Sequence, residues 1–486
     1  MTSLEHLSFD NSFSRLPSSL YSRVEPTGFQ RPFLVSFNAD AAALIDLDPA
    51  EAGRPEFAQY FGGQKLLPGS EPLAMKYTGH QFGQYNPDLG DGRGLLLGEV
   101  VNQKGQRWDL HLKGAGQTPY SRFGDGRAVL RSSIREYLGS EALHHLGIPT
   151  TRALCIIGSD EGVQREKTER GAMILRLADS HVRFGHFEWL FHTGQHDLLR
   201  QLADYVIARH FPEYEGEARR YELFFGEMVR RTARLMAQWQ LVGFAHGVMN
   251  TDNFSITGAT FDYGPYGFLD AYEPGFICNH SDYHGRYAWN KQPSIGLWNL
   301  NALAHAFTPF MEHDVLVSTL HRYEPVLLEA YADGFRAKLG LQSARADDQT
   351  LNIALLDLLM KNKVDYTRFF RALSHQDATA ERSALRDDFL DREGFDAWYG
   401  QYRERLQQEN SQNAERQVRM QATNPKYILR NYMAQVAIDK AEDGDYSEVD
   451  RLLALLRQPF AEQLDMERYA AAPPDWGRHL EISCSS

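Results

Sequence analysis

The sequence predicts an α+β fold in which a strand-rich first part with one embedded helix precedes a mostly helical second part. Two apolar runs, GLLLGEVV (94–101) and RWDLHLK (107–113), flank a Gly-containing turn, which is typical of a β-hairpin. The runs TRALCII (151–157) and AMILRLA (172–178) predict two further strands, because both are short, apolar and rich in branched residues.

Apolar residues that recur every three or four positions predict the helices. The embedded helix spans about 128–146 and ends before a Gly and a Pro, which are common helix stop signals. Long segments near 187–209 and 216–240 show the same periodicity, and the clearest later cases are 427–441 and 447–458.

The composition is that of an ordinary globular chain. The 486 residues are 43% hydrophobic and 24% charged, with a formal net charge of −13. This acidic balance argues against a nucleic-acid partner, because phosphate-backbone binding needs clustered Lys and Arg. Cys155, Cys278 and Cys484 are too few for a disulfide scaffold and fit a reducing compartment. No secretory signal or membrane-spanning run is apparent, so we expect a cytoplasmic protein without a membrane partner.

A Gly-rich turn and a strand lysine mark the first candidate nucleotide-binding elements. The tetrapeptide GDGR occurs at 90–93, just before the first strand, and again at 124–127. Closely spaced glycines let backbone N–H groups approach phosphates. Lys113 ends the second strand on the face opposite its apolar residues, so it can point into a cleft. A purely structural turn and a solvated lysine are the alternatives for these segments taken alone.

Glu136 lies on the apolar stripe of the embedded helix. It is seven residues from both Val129 and Leu143, which is nearly two helical turns. A carboxylate on a buried stripe is costly unless it is paired. We therefore predict that Glu136 pairs with Lys113, as in the lysine–helix-glutamate pair that holds phosphates in kinases.

Two arginines, Arg176 and Arg183, are candidate phosphate ligands. Arg176 lies within a mostly apolar strand, where an arginine needs an anionic partner. The planar guanidinium suits bidentate contact with phosphate. A salt bridge to a carboxylate is the alternative.

The segment FAHGVMNTDNFSITGATFDYG (244–264) has the order of a kinase catalytic loop followed by a D-F-G motif. His246, Asn253 and Asp262 stand at the expected places, but Val248 replaces the aspartate that orients the acceptor hydroxyl. Asn253 and Asp262 offer the oxygen ligands that Mg²⁺ prefers. Together with Lys113 and the helix glutamate, this order predicts a two-lobed, protein-kinase-like fold.

The motifs GDGRG, HLKGAGQTPYSRFGDGRAVLRSSIREYL, FAHGVMNTDN and FDYGPYGFLD and the ending CSS resemble those of the selenoprotein O family, in its bacterial YdiU branch. The resemblance covers nearly the whole chain. It implies a kinase-like fold that transfers AMP from ATP to Ser, Thr or Tyr hydroxyls of proteins, including itself, with the nucleotide flipped relative to kinases. A role in the response to redox stress is also implied.

Carried over residue by residue, the resemblance implies a full set of site residues. Asp252 is the implied base, four residues after Val248. Asn253 and Asp262 are implied to bind Mg²⁺ or Mn²⁺, and Glu136 is implied to pair with Lys113. The implied nucleotide-binding residues are Gly90, Gly92, Arg93, Lys113, Asp125, Gly126, Arg176, Arg183 and Asp262.

The expected organisation is an N-terminal extension (1–75), a kinase-like N-lobe (76–185), a C-lobe with helical additions (186–440) and a helical tail (441–486). Cys484 stands where animal members carry selenocysteine, so a redox role here would be a thiol one. We expect Cys484 to form a reversible disulfide with Cys278, and Cys155 to be buried in its strand. We also expect a monomer. Two alternatives stay open, a UTP-dependent transferase that uses Mn²⁺ and a non-catalytic nucleotide-binding pseudokinase.

Overall fold

The computed structural model describes residues 1–482 and has a mixed α and β architecture. Over this range it contains twelve strands. They are β1 (Tyr21–Arg23), β2 (Phe33–Phe37), β3 (Leu73–Met75), β4 (Gly79–Gln81), β5 (Gln84–Asn86), β6 (Gly94–Val101), β7 (Arg107–Lys113), β8 (Ala128–Val129), β9 (Arg152–Gln164), β10 (Thr168–Ala178), β11 (Phe244–Ala245) and β12 (Gly267–Phe268).

The same range contains fifteen α-helices, most of them after the last strand of the main sheet. They are α1 (Ala39–Ala43), α2 (Pro55–Phe61), α3 (Leu130–His145), α4 (Phe184–His192), α5 (His196–His210), α6 (Arg220–Val242), α7 (Gln292–Phe307), α8 (His313–Leu320), α9 (Tyr323–Lys338), α10 (Asp348–Lys361), α11 (Tyr366–His375), α12 (Arg392–Gln407), α13 (Asn413–Thr423), α14 (Asn431–Glu442) and α15 (Ser447–Leu456). Within residues 1–482, every helix is too short or too polar to cross a membrane.

The main sheet has eight strands in the order β1-β3-β6-β7-β10-β9-β2, with β8 paired to β10. The predicted hairpin of β6 and β7 is confirmed, and its antiparallel register places Gly94 opposite Lys113. On the other side of β7, Ile174 of β10 lies opposite Lys113 and Arg176 opposite His111. This register brings the lysine and Arg176 to the same end of the sheet.

Helix α3 packs against the sheet and the two helices α14 and α15. Its buried Ile134 and Leu138 join a core that includes Ile156 and Ile174 of the sheet. Glu136 lies on the other side of α3 from these two residues, but every residue from Ser133 to Leu143 is buried, so its side chain also lies in the interior. The predicted burial of Glu136 is thus confirmed.

The structure refines several predicted boundaries. Residues 128 and 129 form β8 rather than the first turn of the helix, because they pair with β10. The segment near 187–209 is split into α4 and α5 at Gly194, whose positive φ of 70° interrupts the helix. The strands predicted at 151–157 and 172–178 are longer and form the β9–β10 hairpin.

Residues 1–75, predicted as an N-terminal extension, contribute three strands to the main sheet. Strand β1 pairs with β3, which pairs with β6, and β2 pairs with β9 at the opposite edge. The first 75 residues therefore flank the sheet on both sides.

Candidate active site

A cleft of about 980 Å³ opens between the sheet and the segment 248–264. The predicted site residues lie in its wall, with the exception of Glu136, which lies behind it. The predicted residues that line the cleft are Gly90, Gly92, Arg93, Lys113, Asp125, Gly126, Arg176, Arg183, Asp252, Asn253 and Asp262. The sequence-predicted set thus converges on one cavity, while the role of each residue stays a prediction.

Lys113, Glu136 and Arg176 form a buried charged cluster at the floor of the cleft. Lys113 Nζ donates to Glu136 Oε2 at 2.6 Å, which is the pair expected from the sequence. The Arg176 guanidinium also donates to both Glu136 oxygens, with Nη2 at 3.1 Å from Oε2. One carboxylate on α3 therefore positions two cations that face the cleft.

Asp262 is held by both arginines. Arg176 Nη2 lies 2.8 Å from Asp262 Oδ1, and Arg183 Nη1 donates to Oδ2. Asp262 has a positive φ of 56°, a conformation that side-chain-bearing residues seldom adopt and that recurs at functional sites. The sequence left open that Arg176 and Arg183 pair with carboxylates instead of phosphates. Such salt bridges are present, and their carboxylate partners, Glu136 and Asp262, are themselves predicted site residues.

The pKa values of Lys113 and Glu136 are both lowered, which favours the neutral form of the lysine and the charged form of the carboxylate. Burial lowers the pKa of Lys113 to about 8, with Arg176 and Arg93 adding to the effect and Glu136 opposing it. At Glu136, burial raises the pKa, but Arg176 and Lys113 more than offset it and bring it to about 2. Two cations favour the charged form of Glu136, whereas burial of Lys113, together with Arg176 and Arg93, outweighs the attraction of Glu136 and Asp262.

Asp252 is buried in the cleft wall with 7% of its surface exposed. Gln81 Nε2 lies 3.3 Å from Asp252 Oδ2, and Oδ1 has no hydrogen-bond partner among the residues described. The backbone carbonyl of Asp252 accepts a hydrogen bond from Arg183 Nη1 at 2.8 Å, which fixes the loop. Burial raises the pKa of Asp252 to about 7 despite the nearby Arg183. The carboxylate is therefore available to a ligand in the cleft.

Asn253 and Val248 are linked directly. Asn253 Nδ2 donates to the Val248 carbonyl at 2.9 Å, so the amide oxygen is the atom left to bind a ligand. Val248 itself lines the cleft as a mostly buried residue that offers no side-chain donor or acceptor.

The two GDGR turns lie together at the mouth of the cleft. Gly90 has a φ of 145°, and a Cβ atom there would lie 2.6 Å from the Tyr120 ring. Gly126, with a φ of 70°, has no room for a Cβ beside the Gly116 carbonyl. Glycine is thus required at both positions.

Asp125, predicted to bind nucleotide, organises the second turn. Its carboxylate accepts two hydrogen bonds from Arg165, at 2.8 and 3.1 Å, and one from the Arg127 backbone N–H at 2.9 Å. These contacts define the loop beside the cleft.

The sequence reasoning missed Asp91 and Gln81, both of which line the cleft. Asp91 is buried, lies 3.7 Å from Arg183 Nη2, and accepts from the Met75 N–H at 3.1 Å. The signal for Asp91 is its place within the first GDGR, where it matches Asp125 of the second. Gln81 carried no such signal, since only the fold brings β4 to Asp252.

The structure describes two of the three cysteines, Cys155 and Cys278. Cys155 is buried in β9, as expected, and Cys278 is also buried, which raises its thiol pKa to about 12. Cys484 lies outside the described residues, so the predicted disulfide stays a prediction. The His280 N–H donates to the Ile482 carbonyl at 2.9 Å, so residue 482 lies beside the loop that carries Cys278.

Comparison with known proteins identifies the family. Residues 3–457 match the family model described as "Protein adenylyltransferase SelO". The chain belongs to the SelO family. Three of its similar relatives are each called "Protein nucleotidyltransferase YdiU". They are 57% identical (Pseudomonas fluorescens strain Pf-5), 56% identical (Azotobacter vinelandii) and 57% identical (Myxococcus xanthus), each over 100% of both chains.

Membership of the SelO family confirms the resemblance found in the sequence motifs, and it makes the chain a nucleotidyltransferase. A nucleotide is therefore a substrate of this chain.

Proposed function

We propose that this chain transfers AMP from ATP to Ser, Thr or Tyr hydroxyls of proteins, with release of pyrophosphate, on a two-lobed, protein-kinase-like fold. The N-lobe would comprise 76–185 and the C-lobe 186–440, with 1–75 as an extension and 441–486 as a tail. The sheet of β6, β7, β9 and β10 packed on α3, followed by the helices from α4 onward, supports this division.

Lys113, Arg176 and Arg183 would bind the phosphates. All three line the cleft and are already held in place by Glu136 and Asp262. A triphosphate entering the cleft would exchange some of these carboxylate contacts for phosphate contacts, which arginine forms in a bidentate manner. Both GDGR turns line the cleft, where backbone N–H groups would be further donors to the phosphates.

Asn253 and Asp262 would hold the divalent metal, and the chemistry of the site fits one. Carboxylate and amide oxygens are the ligands that Mg²⁺ prefers, and the Asp262 carboxylate and the Asn253 amide, whose nitrogen is used by Val248, both line the cleft. When bound, Mg²⁺ or Mn²⁺ would offset the charge that develops on the phosphates.

The observation that carries the proposal is the unpartnered Asp252 carboxylate oxygen in a cleft where Val248 occupies the kinase aspartate position. Asp252 would accept the proton of the acceptor hydroxyl as general base. The hydroxyl oxygen forms a bond to the α-phosphorus, the bond from that phosphorus to the bridging oxygen breaks, and pyrophosphate leaves with the electron pair. Lys113 and the arginines would stabilise the charge on the phosphates.

A second candidate is UMP transfer from UTP with Mn²⁺. The residues assigned above would contact the phosphates and not the base, and these relatives are named for nucleotidyl transfer without a stated nucleotide. Parallel reactions with ATP and UTP decide between the two.

Labelled nucleotides test the reaction. The chain is incubated with a divalent metal and ATP labelled at the α- or γ-phosphate, and with α-labelled UTP, and label on protein is measured together with intact mass. We expect label from α-labelled ATP only, and its loss in Asp252→Asn while ATP binding persists. Label only from the γ-phosphate would establish a kinase instead, label only from UTP would establish uridylyl transfer, and full labelling by Asp252→Asn would reject Asp252 as the base.

A further inference from the structure

A second cluster of metal-binding residue types lies outside the cleft. His80 belongs to β4, and Glu188 and His192 lie one turn apart on α4. One possible ligand atom from each residue lies within 4.8 Å of the other two. None of the three side chains is among those that line the cleft in the described part of the chain.

The buried carboxylate of Glu188 points to a missing partner. Its side chain is 1% exposed, and its Oε2 is 2.5 Å from His80 Nδ1. Its other oxygen, Oε1, is buried without a hydrogen-bond partner anywhere in residues 1–482. Leaving a buried carboxylate oxygen unsatisfied is unfavourable, and a cation between the three side chains would satisfy it.

The surrounding aromatic rings fix the two imidazoles. The Tyr85 ring centroid lies 4.1 Å from that of His192, and the Trp298 ring contacts His80 edge-on at 5.2 Å. His192 is exposed, so an ion can reach the cluster from solvent. Rigid ligands, a buried carboxylate and an open entry path are the features required of a metal site.

We propose that His80, Glu188 and His192 bind one divalent transition-metal ion of the Zn²⁺ class. Two imidazoles and a carboxylate suit Zn²⁺, which commonly takes three protein ligands and a water. Metal binding would replace the hydrogen bond between His80 and Glu188 by bonds from both residues to the ion.

This metal would clamp the β4–β5 hairpin onto α4, next to the catalytic loop. The His80 N–H donates to Thr251 Oγ1 at 2.7 Å, and Gln81 Nε2 lies 3.3 Å from Asp252 Oδ2. Because His80 immediately precedes Gln81 in β4, a metal at His80 would restrain the backbone that carries the side chain in contact with Asp252. The binding site itself does not depend on which nucleotide is transferred.

Zinc stoichiometry tests the proposal. The metal-stripped full chain is dialysed against Zn²⁺ in excess Mg²⁺, and bound zinc is measured by elemental mass spectrometry. We expect one Zn²⁺ per chain in the wild type and in the control His313→Ala, which removes an exposed histidine on α8. We expect no stoichiometric zinc in His192→Ala or Glu188→Gln. The visible absorption of Co²⁺ in place of Zn²⁺ should show imidazole coordination that is lost in the same two variants.

Two outcomes would overturn the proposal. The first is that the wild type binds no zinc. The second is that His192→Ala binds as much zinc as the wild type and gives the same Co²⁺ spectrum. Because His192 is exposed, this variant should fold. The variant Asp262→Asn separates the two sites, because it should keep its zinc if the ion is bound at His192. Loss of zinc in Asp262→Asn, with retention in His192→Ala, would place the ion in the nucleotide cleft.

Discussion

Replacing Glu136 by Gln is expected to lower the free energy of unfolding by about 3 kcal/mol near neutral pH and to abolish most nucleotidyl transfer. The substitution keeps the shape of the side chain but removes the charge that Lys113 and Arg176 share. Both cations would then be buried in the floor of the cleft without their main counter-charge, which is the costly way to break an ion pair.

The magnitude follows from the pKa of Glu136. Interaction with Arg176 and Lys113 outweighs burial and lowers that pKa from 4.5 to about 2. One pKa unit corresponds to about 1.36 kcal/mol, so the ionised carboxylate contributes about 3 kcal/mol more than the protonated one. Because the folded-state pKa lies below the unfolded value, this stabilisation is fully present above 4.5 and is lost as the pH falls towards 2.

Urea unfolding of the wild type and the variant at several pH values is the assay. The difference in unfolding free energy should be about 3 kcal/mol near neutral pH and should shrink as the pH falls below the unfolded-state pKa. The matched control is Glu141→Gln on the same helix. Glu141 is equally buried and pairs with Arg152 at 2.7 Å through both oxygens, away from the cleft.

The control separates stability from function. Glu141→Gln should destabilise the chain to a similar extent, yet the folded variant should bind and transfer nucleotide like the wild type. Equal stability of Glu136→Gln and wild type near neutral pH would refute the electrostatic reasoning. An equal loss of transfer in both folded variants would refute the specific role of Glu136 in the cleft.

Other predictions concern single groups. Lys113→Ala should weaken ATP binding at least about tenfold in calorimetry through loss of a charged phosphate contact; unchanged binding would contradict its role. Asp262→Ala and chelator should each abolish transfer, and metal-free activity would reject Asp262 as a ligand. Burial lowers the pKa of Lys338 from 10.5 to about 7, so the unfolded chain binds more protons between these values and stability should rise with pH there. Lys338→Met should therefore stabilise the fold near neutral pH by up to about 4 kcal/mol and flatten that rise, as measured by urea unfolding. Mild oxidation should join Cys278 to Cys484, and two free thiols in non-reducing peptide maps would count against it.

Much of the local structure could be predicted from the sequence, because it depends on neighbours in the chain. The β6–β7 hairpin follows from two apolar runs around a glycine turn, and α3 from its apolar period. The same period placed Glu136 on the buried face, and the need to pair a buried charge predicted its contact with Lys113. The boundaries were less accurate, as at β8, because pairing with a distant strand decided them.

By itself, the sequence determined the inventory of charged groups and their order along the chain, and hence the family. Only the tertiary structure decided that Arg176 joins Glu136 to Asp262, and that Gln81 reaches Asp252. It also decided that His80 meets α4, and that the first 75 residues supply strands at both edges of the sheet. These contacts link residues far apart in the chain, and the periodicity of apolar residues does not indicate which distant residue a side chain will contact. A side chain reveals its own need for a counter-charge, but which group meets that need is decided by how the strands and helices pack.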